Sequence, residues 1–310
     1  MLRRLLAVIL TFSLVSMSFP VWGATPQPQT MSEILGEVER SLYGDADQKG
    51  DGGLIARLLR IEVDIFGEAQ TGDIQSRINI LKAMAIGGSG ISLLMKLNVV
   101  EWVVFGRLVA GSPLLTRLVG IEKEFYGTAK AGPLEARIQD LVSLLWSSGT
   151  FETAQVTVPV RTPVKVKLQA PINSKSAKPG DEVPFIVSDS VMVEGKVVIP
   201  SGTVAKGRVL SVKAASFLGQ SGDVIIEFGK VFTMDGKQVT LLAGVKGEQS
   251  STTELVAGAS LLGLVTLGPL GLAAGVFIKG QEMEVSAGVE MTLYIAQEIS
   301  VQGLSLVPSK

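Results

Sequence analysis

Two different periods of apolar residues divide the chain. From Met31 to Ser147 one 14-residue frame recurs, L-x-x-R-L-x-x-I-E-x-x-x-[FY]-G, opened in turn by Met31, Leu54, Ile74, Leu93, Leu114 and Leu134. Its apolar positions follow a 4-3-4 spacing, which lines one face of a helix, so each copy predicts an amphipathic helix about 20 Å long. Local signals agree with those boundaries. Pro113 and Pro133 stand where the first helical residue is expected, Asp73 precedes Ile74, and Gly44, Gly67, Gly106 and Gly127 follow the closing aromatic, where a left-handed residue stops a helix. Short connections predict antiparallel neighbours, and hence a compact array of six helices over residues 31–148.

The polar positions of the frame are also regular. The basic position holds Arg57, Arg77, Lys96, Arg117 and Arg137, and the acidic position holds Glu39, Glu62, Glu101 and Glu122, with Lys82 and Val142 departing. Five residues apart on one helix, the two point about 140° away from each other, so they cannot pair within a helix. Two uses remain open. Arg57, Glu62, Arg77, Arg117, Glu122 and Arg137 form either an exposed stripe that recognises a protein partner or a set of inter-helix ion pairs that fixes register. Partly exposed pairs of the second kind would each be worth roughly 0–1 kcal/mol.

From Phe151 onward the helical period gives way to short β-branched runs bounded by Gly, Pro, Asn and Asp, the pattern of an all-β domain. Glu194-Gly195, Ser201-Gly202 and Asp235-Gly236 supply the positive φ of tight turns. A β-barrel or sandwich is expected over residues 156–303, after a linker at 149–155 and before a tail at 304–310. The run from Glu290 to Ile299 reads as its last strand. The fold class is therefore α+β, with an all-α array followed by an all-β domain.

One segment breaks the β pattern. Leu255 to Ile278 is 24 residues without a charge, between Glu254 and Lys279, and it contains Gly258, Gly263, Gly268, Gly271 and Gly275. Gly268-Pro269 at its midpoint predicts a turn, so the segment reads as a hairpin of two short helices packed through small residues. Such a hairpin serves membrane insertion or self-association, or it packs on its own domain. A single membrane span is the third possibility, although it would strand the following strands on the far side.

Composition narrows the functional class. Arg3 and Arg4, the apolar run Leu5 to Met17, Pro20 and the small residues Gly23 and Ala24 form a signal-peptide pattern over residues 1–24, followed by a linker at 25–30. The apolar run is shorter than the roughly 20 residues that span a bilayer. An exported protein of the periplasm or outer membrane of a diderm bacterium, or of the cell surface otherwise, is the expectation. With 28 basic and 29 acidic residues the net charge is -1, and no basic block marks a nucleic-acid surface. The chain has no Cys and no His, which removes thiol nucleophiles, imidazole bases and the usual transition-metal ligands. No cofactor, metal or small-molecule substrate is therefore expected, and a two-carboxylate enzyme would have to draw on residues such as Glu182, Asp189 or Asp223. Asp45, Asp47 and Asp51 suggest calcium, but Lys49 and Ala56 stand where an EF-hand loop needs oxygen ligands, so a solvated turn is expected.

Two resemblances add to this reading. Gly180-Asp181 ahead of a strand, V-V-I-P-S-G-T at residues 197–203, A-K-G-R-V at 205–209, the Gly-rich insertion and V-S-A-G-V-E-M at 285–291 together resemble the β-barrel of conjugation-type type IV secretion scaffolds, over about residues 180–300. That resemblance implies an apolar helical hairpin that projects from the barrel and, in the oligomer, crosses the outer membrane. Separately, the helical frame resembles the E-x-x-x-[FY]-G repeats of exported bacterial envelope proteins that carry no assigned activity. The expected function is an exported envelope scaffold or assembly protein that binds an envelope protein or its own copies. The alternative is a cell-wall or polysaccharide binding module with the hairpin in its core; against it, the β-half offers no Trp and one Tyr, Tyr294, for stacking sugars.

Overall fold

The computed structural model describes residues 29–45, 52–88, 90–215, 222–243, 264–267 and 283–306. Six helices come first: α1 (Met31–Tyr43), α2 (Leu54–Phe66), α3 (Ile74–Ala85), α4 (Leu93–Phe105), α5 (Leu114–Tyr126) and α6 (Leu134–Leu145). Each begins on the residue that opens the frame, because the capping chemistry sits just before it. At α1 the Thr30 hydroxyl accepts from the Glu33 amide while the Glu33 carboxylate accepts from the Thr30 amide, a reciprocal cap. Asp73 and Ser92 cap α3 and α4 in the same sense. At the other end, Gly67, Gly106 and Gly127 take the left-handed conformation that stops α2, α4 and α5.

The helices do not pack chiefly on their sequence neighbours, as a run of simple hairpins would. The most extensive contacts are α1 with α3 and α4 with α6, and α1 against α5 and α2 against α6 join the two sets. The array is thus two three-helix units. Leu114 follows Leu54, and Leu134 follows Ile74, by the same 60 positions, so the 14-residue frame is nested in a longer repeat. Within it α4 is unusual. Leu93, Met95, Leu97, Val99 and Val100 are all buried, and a helix that is apolar around its whole circumference must be covered on every side.

Its second cover is the β-domain, whose strands are β1 (Thr153–Val158), β2 (Pro163–Leu168), β3 (Ile172–Asn173), β4 (Glu182–Val187), β5 (Val191–Val193), β6 (Lys196–Ile199), β7 (Val204–Lys213), β8 (Asp223–Glu227), β9 (Lys230–Phe232), β10 (Gln238–Ala243), β11 (Leu264–Leu267), β12 (Glu284–Val285), β13 (Glu290–Ile295) and β14 (Ile299–Ser305). An eight-stranded antiparallel sheet, β11-β8-β7-β4-β2-β13-β10-β9, curls until β9 approaches β7 and β10 approaches β11, which makes a half-barrel. Its interior holds Val164, Val166, Phe185, Val187, Ile226, Phe228 and Leu293, with the Phe185 and Phe228 rings edge to face at 5.2 Å. A four-stranded sheet, β1-β14-β6-β5, lies between this interior and the helices. Strand β6 shows the layering directly, because Val197 belongs to the helical core while Val198 and Ile199 belong to the barrel core.

Several boundaries differ from the sequence expectation. Residues 149–155 are not a free linker, since Phe151 is buried in the helical core and β1 begins at Thr153. The final run is two strands, β13 and β14, and β14 extends through Ser305 into the expected tail. Leu264–Leu267 is a strand paired with β8 where a helix was expected. Val265 and Thr266 favour that conformation, and β8 offers an unpaired edge to receive it. The rest of the insertion, including Gly258, Gly263, Gly268, Pro269, Gly271 and Gly275, lies outside the described residues, as do the leader at 1–24, Asp47 and Asp51. The topology nonetheless bears on the insertion. Strand β13 lies between β2 and β10, β14 lies between β1 and β6, and β11 pairs with β8, so the described strands before, within and after the insertion belong to the same domain. A single span with the barrel divided across it is incompatible with that pairing.

The loop after α4 clips the two domains together. The Leu108 amide donates to the Gly202 carbonyl at 3.2 Å and the Val204 amide donates to the Leu108 carbonyl at 2.9 Å. Gly202 has φ +75°, and a Cβ there would stand 2.2 Å from the Gly106 carbonyl oxygen. Gly202→Ala should therefore lower stability by roughly 1–3 kcal/mol, read by urea denaturation, and should expose the loop at 106–112 to protease. Unchanged stability and protection would show that the clip contributes nothing.

Candidate functional site

The six frame residues expected to form a stripe are engaged with one another and with their neighbours along the array. Each bond joins the acidic position of one helix to the basic position of the next. Glu62 receives Arg77 in a bidentate fork, Nε to Oε1 at 2.8 Å and Nη2 to Oε2 at 2.6 Å, and it also accepts the Gln70 amide at 3.1 Å. Glu122 repeats this with Arg137 at 2.8 and 2.7 Å and the Lys130 amide at 3.0 Å. Arg57 holds Glu39 with Nη2 at 2.6 Å, and Arg60 takes the other carboxylate oxygen at 2.9 Å. Arg117 donates to Glu101 through Nε and Nη2. Planar guanidinium matches carboxylate in this way and ammonium does not, which accounts for Arg at these positions.

Burial separates the two readings of the stripe. Glu62, Glu122, Arg117 and Arg137 are buried, while the Arg57 and Arg77 side chains are 19% and 13% exposed. Groups so enclosed present no recognition surface, and what they do is hold successive helices in register. The ladder breaks between α3 and α4, where the frame places Lys82 and Lys96. Two cations cannot pair, so Lys82 turns to Glu37 on α1 at 2.9 Å and Lys96 to Gln139 on α6 at 2.9 Å. That break is the seam between the three-helix units.

The ladder reaches the β-domain through a residue that the frame analysis passed over. Asn98 accepts from Arg117 Nη2 at 2.7 Å and donates its amide to the Met234 carbonyl at 2.9 Å. Met234 opens the turn between β9 and β10, and Gly236 in that turn lies so close to α4 that a Cβ would stand 2.4 Å from Leu94. Beside the turn a cleft of about 690 Å³ opens between the domains. One wall is Glu37, Lys82 and the bare backbone of Gly87, Gly88 and Gly90; the other is Phe232, Lys237 and the amides of Gln155, Gln238 and Gln302. No local pattern announces it, because one wall comes from residues 37–90 and the other from residues 155, 232–238 and 302.

The carboxylates named for a hydrolase are not brought together. Glu182 starts β4 and pairs with Lys206 at 2.6 Å, whereas Asp189 lies beyond the other end of that strand and pairs with Lys165 at 2.8 Å. Along an extended strand their separation is roughly 20 Å, well beyond the spacing at which two carboxylates share one glycosidic bond. Asp223 lies on β8, at the end of its pairing with β7 and far along that ladder from the row joining Glu182 to Arg208. No protein-family model matches this chain, and no curated protein matches it.

Burial raises the proton affinity of Glu62 and Glu122, but the arginine bonds, the loop amides and the nearby positive charge outweigh it and hold both carboxyls below the ordinary value of 4.5. A depressed folded value means that their stabilisation is complete above the ordinary value and is lost as the pH falls below it. Acid titration of helicity should show this loss, and it should be smaller in a variant without either pair. Glu122→Ala strands a buried Arg137 and should cost on the order of 3 kcal/mol, against the 0–1 kcal/mol expected of exposed pairs. Glu122→Leu with Arg137→Leu should recover most of the loss. Double-mutant cycles on Glu39 with Arg57 and on Glu101 with Arg117 should show coupling, and additive losses would contradict a register role.

Proposed function

We propose that the chain is an exported cell-envelope scaffold or assembly protein, in which the helical array and β-domain form one joined body and the apolar segment at 255–278 mediates membrane insertion or association with other copies. The observation that carries this reading is the return of the chain to the same β-domain on either side of that segment, with β13 between β2 and β10. An uncharged stretch of 24 residues, of which the described part, Leu264–Leu267, pairs with β8 at the sheet edge, needs cover, since soluble monomers tolerate contiguous apolar patches of only a few hundred Å². The signal-peptide pattern and the resemblance to secretion scaffolds support the same compartment and role. Partner binding by the Arg/Glu stripe has no part in it, because those groups are used internally.

Deletion tests the reading. Joining Glu254 to Lys279 through a short Gly-Ser linker should leave the β-domain folded and make the exported chain monomeric and extractable by carbonate, whereas the intact chain should resist the wash or sediment as an oligomer. An intact chain that is a detergent-free monomer, or a deletion that unfolds the domain, would mean that the segment is core.

A further inference from the structure

The size of the interdomain cleft falls in the range of about 300–1,000 Å³ typical of ligand sites, while its lining is more polar than is usual for them. Two cross-strand pairs from different ladders converge on it. Gln155 of β1 lies opposite Gln302 of β14, and Phe232 of β9 lies opposite Gln238 of β10. Residues directly opposite in an antiparallel ladder share a face, so each pair presents two side chains side by side.

The chemistry of the walls selects among ligands. Charge is cancelled locally: Glu37 is bonded to Lys82 at 2.9 Å, and Asp235 has Lys237 at 3.6 Å and accepts from the Gln302 backbone N–H at 2.9 Å. A charged ligand would find no unopposed counter-charge. The amides remain available. Gln155 and Gln302 use Nε2 on Ser300 and Thr153, which leaves their carbonyl oxygens, and Gln238 makes no hydrogen bond among the described residues. A primary amide both donates and accepts, as a hydroxyl does, and so can hold vicinal hydroxyls. Phe232, partly exposed beside Gly111, supplies a flat apolar surface.

We propose that this cleft binds an uncharged saccharide chain, gripped by the Gln155, Gln238 and Gln302 amides with a sugar face laid on Phe232. An extended peptide is the competing ligand. It would add to a sheet edge through main-chain groups in the plane of the sheet, whereas on the β-domain wall the paired residues Gln155 and Gln302, and Phe232 and Gln238, offer side chains standing off that plane, and bare backbone is confined to the glycine wall. The proposal is independent of the scaffold reading, since it concerns a different part of the molecule.

Titration calorimetry of the intact chain with the tetramer of N-acetylglucosamine tests it. Saturable binding that is insensitive to added salt is expected, because no net charge is engaged. Gln238→Ala and Phe232→Ala should each weaken it at least about tenfold, a change of one decade in Kd. Gln155→Trp, at an exposed position on an edge strand, should fill the cleft and abolish binding, with the thermal midpoint of all three variants unchanged. The proposal is overturned by absence of saturable binding at millimolar sugar, by equal binding in the three variants, by steep salt dependence, or by a neutral extended peptide that binds more tightly than the sugar.

Discussion

A carboxylate enclosed between helices needs a cation at hydrogen-bonding distance, and in this chain that requirement positions almost every helix against the next. The fork between Glu62 and Arg77, copied between Glu122 and Arg137, satisfies both carboxylate oxygens and also ties down the connecting loop through the Gln70 or Lys130 amide. Three groups are thereby fixed by one carboxylate: the helix that carries it, the loop that follows and the helix beyond. Apolar contacts in the array are forgiving of small slides, because leucine on leucine packs in many registers. The forks are not, since a displacement of one residue would leave an enclosed carboxylate and an enclosed guanidinium apart, and the cost of that exceeds the cost of any single lost contact.

The same polar ladder explains how an all-α array is oriented on an all-β domain. Arg117 donates to Glu101 through Nε and Nη2 and to Asn98 through the same Nη2, and Asn98 passes the connection to the Met234 carbonyl. Around this polar point the middle of α4, from Leu97 to Glu101, is buried between the other helices and the turn at 233–237. Leu108 adds a second, main-chain attachment at the far end of α4. One attachment at mid-helix and a second just beyond the helix end fix an orientation where a single one would leave a hinge. The walls of the cleft, taken from both domains, keep their spacing for this reason.

Helix boundaries were legible because they depend on residues adjacent in sequence: Asp73, Pro113 and Pro133 before the first turn, Gly67, Gly106 and Gly127 after the last. Which helix packs on which was not, because the preference of α1 for α3 rests on side-chain surfaces that a 14-residue frame describes identically in every copy. The departures from the frame held more information than its matches. Lys82 and Lys96 mark the seam, and the all-round apolarity of α4 marks the contact with the β-domain, yet both read as imperfections of a repeat. In the β-half, β14 was missed because Ala296, Gln297 and Glu298 include no Gly or Pro to announce a turn between β13 and β14. The cleft follows only from the joining of the domains, so no local pattern could have located it.

The pairing order also constrains how the molecule comes together. Among the described residues strand β1 finds its sheet neighbour in β14, at the other end of the β-domain, and β2 lies between β4 and β13, so neither sheet is complete until the last described strands have been made. The apolar stretch at 255–278 is therefore synthesised before the domain that flanks it can close. Sheets built from such distant strands form slowly, since the chain must be brought together before the contacts stabilise it. During that interval the helical array, whose bonds join neighbouring helices, has all of its partners to hand. The array can then present Leu94 and the Asn98 amide as a preformed surface for the turn after β9.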